Sequence, residues 1–143
     1  MEFKKGVSTV KVELGSFNNE VSVFKYLKTD DKYFRETEAY QILETCEFVP
    51  KLLAKSIDDR LIVTKYVGQS LNLKYSPPER KRFKQRIRDM NNKLINVYGI
   101  HHNDIRWKNV VESKSGDLFL IDFESWTSVK NGSRERDPEK ILS

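Results

Sequence analysis

The sequence predicts an α+β protein in two parts, and three features carry that expectation. Short β-branched and aromatic stretches, interrupted by one helical stretch, occupy the chain as far as Val67. Ser76-Pro77-Pro78-Glu79 then marks a helix start, and apolar residues behind it repeat at helical spacing. Beyond Gly99, two apolar stretches flank Ser115-Gly116-Asp117, the pattern of a short hairpin. The expected layout is a small antiparallel sheet with one helix over residues 1–64, a hinge and linker over 65–75, and a mainly helical part over 76–143.

Taken in order, Val7 to Glu13 alternates in polarity, Gly15 to Asn19 is rich in turn formers, and Glu20 to Leu27 favours a strand, which together predict a hairpin. Asp30 or Asp31 caps a helix reaching about Glu44, and Pro50 ends the link after it. Leu52 to Ser56 and Arg60 to Val67 are two further strands, turned by Asp58-Asp59. Gly68 to Tyr75 reads as linker. At Ser76 a serine cap, prolines at the first helical positions and a glutamate three residues on agree on a helix start. Phe83, Ile87, Met90, Leu94 and Val97 then give one apolar face, and Gly99 is its stop. Ile100 to Asn109 is a polar loop, Val110-Val111 and Leu118 to Ile121 are short strands, and the tail from Thr127 is polar.

The 143 residues, 33% charged and 38% hydrophobic, suit one compact domain or two small lobes sharing a core. A net charge of +5 fits a chain that meets anions such as nucleotide, nucleic acid or an acidic partner. No apolar run approaches the about 18 residues of a membrane span, and the charged start Met1-Glu2-Phe3-Lys4-Lys5 has no apolar stretch behind it, so neither membrane nor secretory leader is expected. Cys46 stands alone, which excludes an internal disulfide and makes cytoplasm or nucleus the expected compartment.

Chemistry concentrates in His102-Asn103-Asp104-Ile105-Arg106-Trp107-Lys108-Asn109 and Leu120-Ile121-Asp122-Phe123-Glu124. A carboxylate and an amide lie five residues apart in a loop leaving a helix, and a second carboxylate ends an apolar strand beyond a hairpin. Phosphoryl transfer uses this inventory: one carboxylate orients the attacking hydroxyl, while an amide and a carboxylate offer hard oxygens to magnesium.

The segment resembles the catalytic loop of protein kinases and their relatives, H-x-D-x-x-x-x-N followed by a hairpin and D-F-G. The resemblance spans about Val7 to Trp126. It implies a two-lobed protein-kinase-like fold with a much reduced helical C-lobe, and an ATP- and magnesium-dependent transfer to a hydroxyl acceptor, either a protein or a small molecule. Asp104 would be the catalytic base and Asn109 and Asp122 the magnesium ligands. His102 would brace the loop, and Arg106 would offset charge on the transferred group. Asn103 replaces the usual Arg, so control by activation-loop phosphorylation is not implied. Glu124 in place of the glycine looks more like small-molecule phosphotransferases such as the aminoglycoside, choline and lipopolysaccharide-sugar kinases.

The same resemblance asks the first part for a lysine on a strand and a glutamate on the next helix. Val23-Phe24-Lys25 matches the lysine strand, and alternation puts Lys25 on the face of Val21, Val23 and Leu27, with Lys28 a weaker candidate. Glu38 lies between Phe34 and Ile42, and Glu36 between Tyr33 and Tyr40. Spacing alone cannot choose, and similarity to the kinase helix favours Glu38. Leu61 to Gly68 resembles the strand and hinge between kinase lobes, where backbone groups of Lys65 and Val67 would meet the adenine and Thr64 would sit behind it.

Two departures stand out. No G-x-G-x-x-G phosphate lid is present, and the strands before Lys25 leave only Met1 to Gly6 for another. Only 17 residues follow Trp126, where protein kinases continue with substrate-binding helices, so a partner protein covering the reduced C-lobe is expected. These departures admit a pseudokinase-like binding module. Six basic residues between Arg80 and Arg88 admit a nucleic-acid-binding protein, although a solvated helix face explains them. His101-His102 is not expected to hold metal, because adjacent side chains diverge and no further histidine exists. Trp107, Trp126 and Cys46 are expected to pack.

Overall fold

The structure, a computed structural model, describes residues 9–131 and Leu142. It is α+β, and the chain divides into two units, Met1–Tyr66 and Val67–Ser143. The residues left for an additional first strand, and most of the polar tail, lie outside the described residues.

In the first unit, β1 (Thr9–Phe17) and β2 (Glu20–Leu27) form an antiparallel hairpin. The turn is tighter than the expected Gly15 to Asn19. It consists of Asn18 and Asn19, both at positive φ (48° and 66°), the conformation whose twist matches a two-residue hairpin. Gly15 instead stays in β1 opposite Ser22, with the Phe24 ring edge 2.8 Å from where its Cβ would be. Helix α1 (Asp30–Ile42) is capped by Thr29, whose hydroxyl accepts from Lys32 N–H, rather than by an aspartate. Asp30 and Asp31 occupy the first turn, where carboxylates complement the helix dipole. Strands β3 (Leu52–Ser56) and β4 (Leu61–Lys65) complete an antiparallel sheet of order β1-β2-β4-β3. Leu27, Tyr33, Ala39, Tyr40, Leu43 and Ile62 form the core, and Cys46 is buried.

The second unit opens with β5 (Gln69–Ser70) and α2 (Leu71–Lys74), where only linker is expected. Leu71, wholly buried, explains the ordering. Gly68 is needed before it, because a Cβ there would collide with the Glu112 carbonyl. The expected long helix is real but jointed: α3 (Pro77–Arg80) carries the Ser76–Glu79 capping box, and a 3-10 turn over Lys81–Phe83 leads into α4 (Lys84–Tyr98). Gly99, at φ 69°, ends it in the left-handed region. Phe83, Ile87 and Leu94 are buried as expected, but Val97 is 67% exposed and Asn91 takes a buried place. At 3.6 residues per turn Val97 lies about 80° from the direction of Ile87, and Asn91 only about 40°.

The chain then forms β6 (Ile100–His101), the hairpin β7 (Val110–Glu112) and β8 (Leu118–Leu120), and β9 (Thr127–Ser128). Strand β5 adds to β7, giving the order β5-β7-β8, and β6 pairs with β9 where loop and tail are expected. Leu71, Ile87, Leu94, Ile105, Leu120 and Phe123 are among the buried residues of this unit. No helix among the described residues is long and apolar enough to cross a membrane.

Candidate functional site

Helix α4 stops at Gly99, and β6 hands the chain to a loop whose centre is His102, fully buried. Asp104 N–H donates to His102 Nδ1 at 3.1 Å. That nitrogen is therefore the acceptor, so the proton sits on Nε2, which donates to the Ile121 carbonyl at 2.8 Å. One neutral imidazole thus joins the main chain at Asp104 to the residue before Asp122. The Phe123 ring packs edge-on against it, with centroids 4.7 Å apart.

Asn109, on a 3-10 turn over Trp107–Asn109, is buried. Its Nδ2 donates to the Asp104 carbonyl (2.8 Å) and to Asp104 Oδ2 (3.1 Å). Both partners only accept, which fixes the amide orientation. Its Oδ1 is left buried and without a hydrogen-bond partner among the described residues. The Asn109 carbonyl accepts from Ile121 N–H at 3.0 Å, so the amide-bearing loop and the strand leading to Asp122 are bonded backbone to backbone. Asp122 takes φ 62°. Arg106 Nε donates to Asp104 Oδ1 at 2.5 Å from a half-exposed side chain. The structure therefore brings Asp104, Arg106 and Asn109 into direct contact and ties Asp122 to them through Ile121.

Asn109 fits magnesium as a ligand: the cation takes hard oxygens, often from one or two protein groups, and the Asn109 carboxamide oxygen has no hydrogen-bond partner among the described residues. An unmet buried acceptor costs about 1–3 kcal/mol, which a cation at that oxygen would offset.

In the first unit, Lys25 Nζ reaches both oxygens of Glu36, at 2.7 and 3.0 Å, and both residues are buried. The partner is thus Glu36, not the favoured Glu38, which is exposed. The cause is visible along α1: the neighbours of Glu36, Tyr33 and Tyr40, face the core, whereas those of Glu38, Phe34 and Ile42, are themselves exposed. Pairing across the sheet sets Val12 opposite Lys25, Leu14 opposite Val23, and Thr64 opposite Val23 from the other side, so these residues share the face of Lys25. Val12, Leu14 and Val21 on that face are exposed, and they form an apolar strip leading to the buried ammonium. At the end of β4, Lys65 N–H donates to the Lys51 carbonyl at 3.0 Å and its side chain is exposed, while Val67, half-buried, begins the second unit.

No protein-family model matches the chain, and comparison with curated proteins finds no match.

Two features escaped sequence reasoning. The Asn103 amide donates to the Ser125 carbonyl (3.1 Å) and to Thr127 Oγ1 (2.8 Å), joining the loop to the segment beyond Asp122. Its one sequence signal is that it stands between His102 and Asp104. The second is Glu112, which takes hydrogen bonds from Lys74 Nζ (2.8 Å) and Tyr75 Oη (2.6 Å). Burial pushes its carboxyl up, but these donors and the Lys74 charge outweigh it and hold the group below its ordinary value. In the basic run Lys81, Arg82 and Arg86 are exposed while Arg80, Lys84 and Arg88 are half-buried; Arg82 stacks over Tyr75 and Phe83, and Arg86 donates to the Gly116 carbonyl. Trp107 Nε1 donates to the Leu142 carbonyl, and Trp126 is buried.

Proposed function

We propose that the chain is a protein-kinase-like, ATP- and magnesium-dependent phosphotransferase acting on a hydroxyl acceptor. The observation that carries this reading is Asn109, whose amide nitrogen braces Asp104 while its buried oxygen stays available to a cation. Asp104 accepts the proton of the attacking hydroxyl, held in place by Asn109 Nδ2 and by its own N–H on His102. Arg106, on the other oxygen of Asp104, supplies positive charge where negative charge gathers on the transferred group. Asn109 Oδ1 and the Asp122 carboxylate hold magnesium, which when bound neutralises phosphate charge. Lys25, oriented by Glu36, takes phosphate oxygens of the nucleotide, and the strip of Val12, Leu14 and Val21 offers apolar surface to its base. Protein serine or threonine, sugar and amino-alcohol hydroxyls all suit this chemistry. Leu73 and Val97, exposed on the second unit, offer apolar surface to a covering partner. Work in cytoplasm or nucleus accords with the reading.

A binding module without catalysis is the second reading. Its motivation is the sequence, which holds no G-x-G-x-x-G to cover phosphates and no counterpart of the substrate-binding helices after Trp126. One experiment addresses both: the melting temperature with ATP, with and without magnesium. A ligand at a hundred times its Kd stabilises the native state by about 2.7 kcal/mol. The phosphotransferase reading expects a rise that needs magnesium, is lost in Asp122→Asn, and accompanies transfer. A rise without transfer selects the binding module, and a well-folded chain with no rise refutes the phosphotransferase and leaves the weight on a module that engages a partner.

A further inference from the structure

We infer that Asn103 is a positioning residue that sets the magnesium affinity of Asp122 by tethering the segment after it to the catalytic loop; this rests on the reading above. Asp122 is bounded on both sides by bonds to one loop. Upstream, His102 Nε2 holds the Ile121 carbonyl and Asn109 O holds the Ile121 N–H. Downstream, the Asn103 amide holds the Ser125 carbonyl and Thr127 Oγ1, three and five residues beyond the carboxylate. β6 and β9 reinforce that side by pairing His101 with Thr127. Asp122 itself sits at φ 62°, in the left-handed region, which aspartate adopts more readily than most residues but still at a cost that its flanking bonds help to offset. With either flank released, the backbone can relax and carry the carboxylate away from its setting.

The tether is built at a cost, which argues that its geometry matters. Asn103 holds a left-handed φ of 69°, and its Oδ1 is buried without a hydrogen-bond partner among the described residues. Two donations from one amide are kept although the same group leaves an acceptor unmet. The tether is also uncharged, so it acts without a phosphate or any other added group. The magnesium site is then set at all times rather than switched.

Two variants test this in the full chain. Asn103→Gly tolerates the left-handed backbone and removes the amide. Thr127→Val keeps the side-chain shape and removes one acceptor, which preserves the test should the first variant fold poorly. The readouts are the magnesium concentration giving half the ATP-induced melting shift, and amide hydrogen exchange over residues 123–128 without metal. Losing a group that orients a metal ligand lowers metal affinity by about 10–100-fold, so the midpoint rises about tenfold in Asn103→Gly and a few fold in Thr127→Val. Exchange over 123–128 speeds in both, and saturating magnesium restores the shift. An unmoved midpoint beside a normal wild-type response overturns the inference alone. A wild-type chain with no magnesium response overturns the phosphotransferase reading, and the inference with it.

Discussion

Replacing Glu36 with alanine takes both carboxylate oxygens from the ammonium of Lys25, a residue only 7% exposed. Hydrogen bonds to charged groups contribute about 1.5–3 kcal/mol each, so the two bonds of Lys25 correspond to about 3–6 kcal/mol. Breaking a buried ion pair from one side costs about 3–5 kcal/mol, because the remaining charge keeps its desolvation penalty. A loss of about 4 kcal/mol is therefore expected. With a urea slope of about 2 kcal/mol/M it moves the unfolding midpoint down by about 2 M, read by circular dichroism. Removing both charges tells a different story. Lys25→Met with Glu36→Leu keeps the packing and discards both desolvation costs, and such exchanges are often neutral or stabilising by about 1–4 kcal/mol. The double variant should thus recover most of the stability, and on the phosphotransferase reading it should lose the ATP-induced melting shift. Glu38→Ala, on the exposed side of α1, should stay within about 0.5 kcal/mol of wild type. A Glu36→Ala loss below about 1 kcal/mol, or an equal loss in Glu38→Ala, would refute the pairing argument.

Two further outcomes follow from the second unit. Asp104→Asn keeps the shape of the side chain but cannot take a proton; transfer should fall by about 10²–10⁴-fold while the magnesium-dependent melting shift survives, and turnover near the wild-type rate would remove Asp104 from its role. Glu112 has a folded pKa below its ordinary 4.5, so its contribution is complete above 4.5 and is lost as pH falls through the lower folded value. The stability gap between wild type and Glu112→Gln should accordingly shrink on acidification below 4.5, and a gap that widens there would reverse the assigned sign.

Elements with strong local signals were legible before any coordinates. The capping box at Ser76–Glu79, the stop at Gly99 and the β7–β8 hairpin each rest on a few adjacent residues. What escaped reading depends on partners distant in sequence. Strand β6 exists because Ile100 and His101 meet Ser128 and Thr127, and no composition at Ile100 announces that. Likewise β5 is ordered by β7 and by the burial of Leu71. The choice between Glu36 and Glu38 needed one more comparison than spacing provides, namely which flanking aromatics reach the core. Tyr33 and Tyr40 do, and Phe34 does not. On α4, counting apolar residues promoted Val97, whereas the helical angle places Asn91 closer to the buried direction. The polar residues of the loop were legible as a set, but their division of labour was not, because it turns on which atom donates.

That division of labour has a consequence for how the loop tolerates change. Two non-glycine residues on either side of the arrangement, Asn103 and Asp122, hold left-handed backbone at φ 69° and 62°. Such conformations cost about 1–3 kcal/mol each in ordinary residues, less for Asn and Asp, and they persist only when several contacts impose them together. His102 supplies two of those contacts with one uncharged ring, accepting from Asp104 and donating to Ile121. A side chain that only donates, such as lysine, or only accepts, such as glutamate, would satisfy one end and oppose the other. Protonating the ring has the same effect, for it turns the Nδ1 acceptor into a donor facing the Asp104 N–H. The imidazole thus serves through its two unlike nitrogens, one accepting from the Asp104 N–H and the other donating to the Ile121 carbonyl.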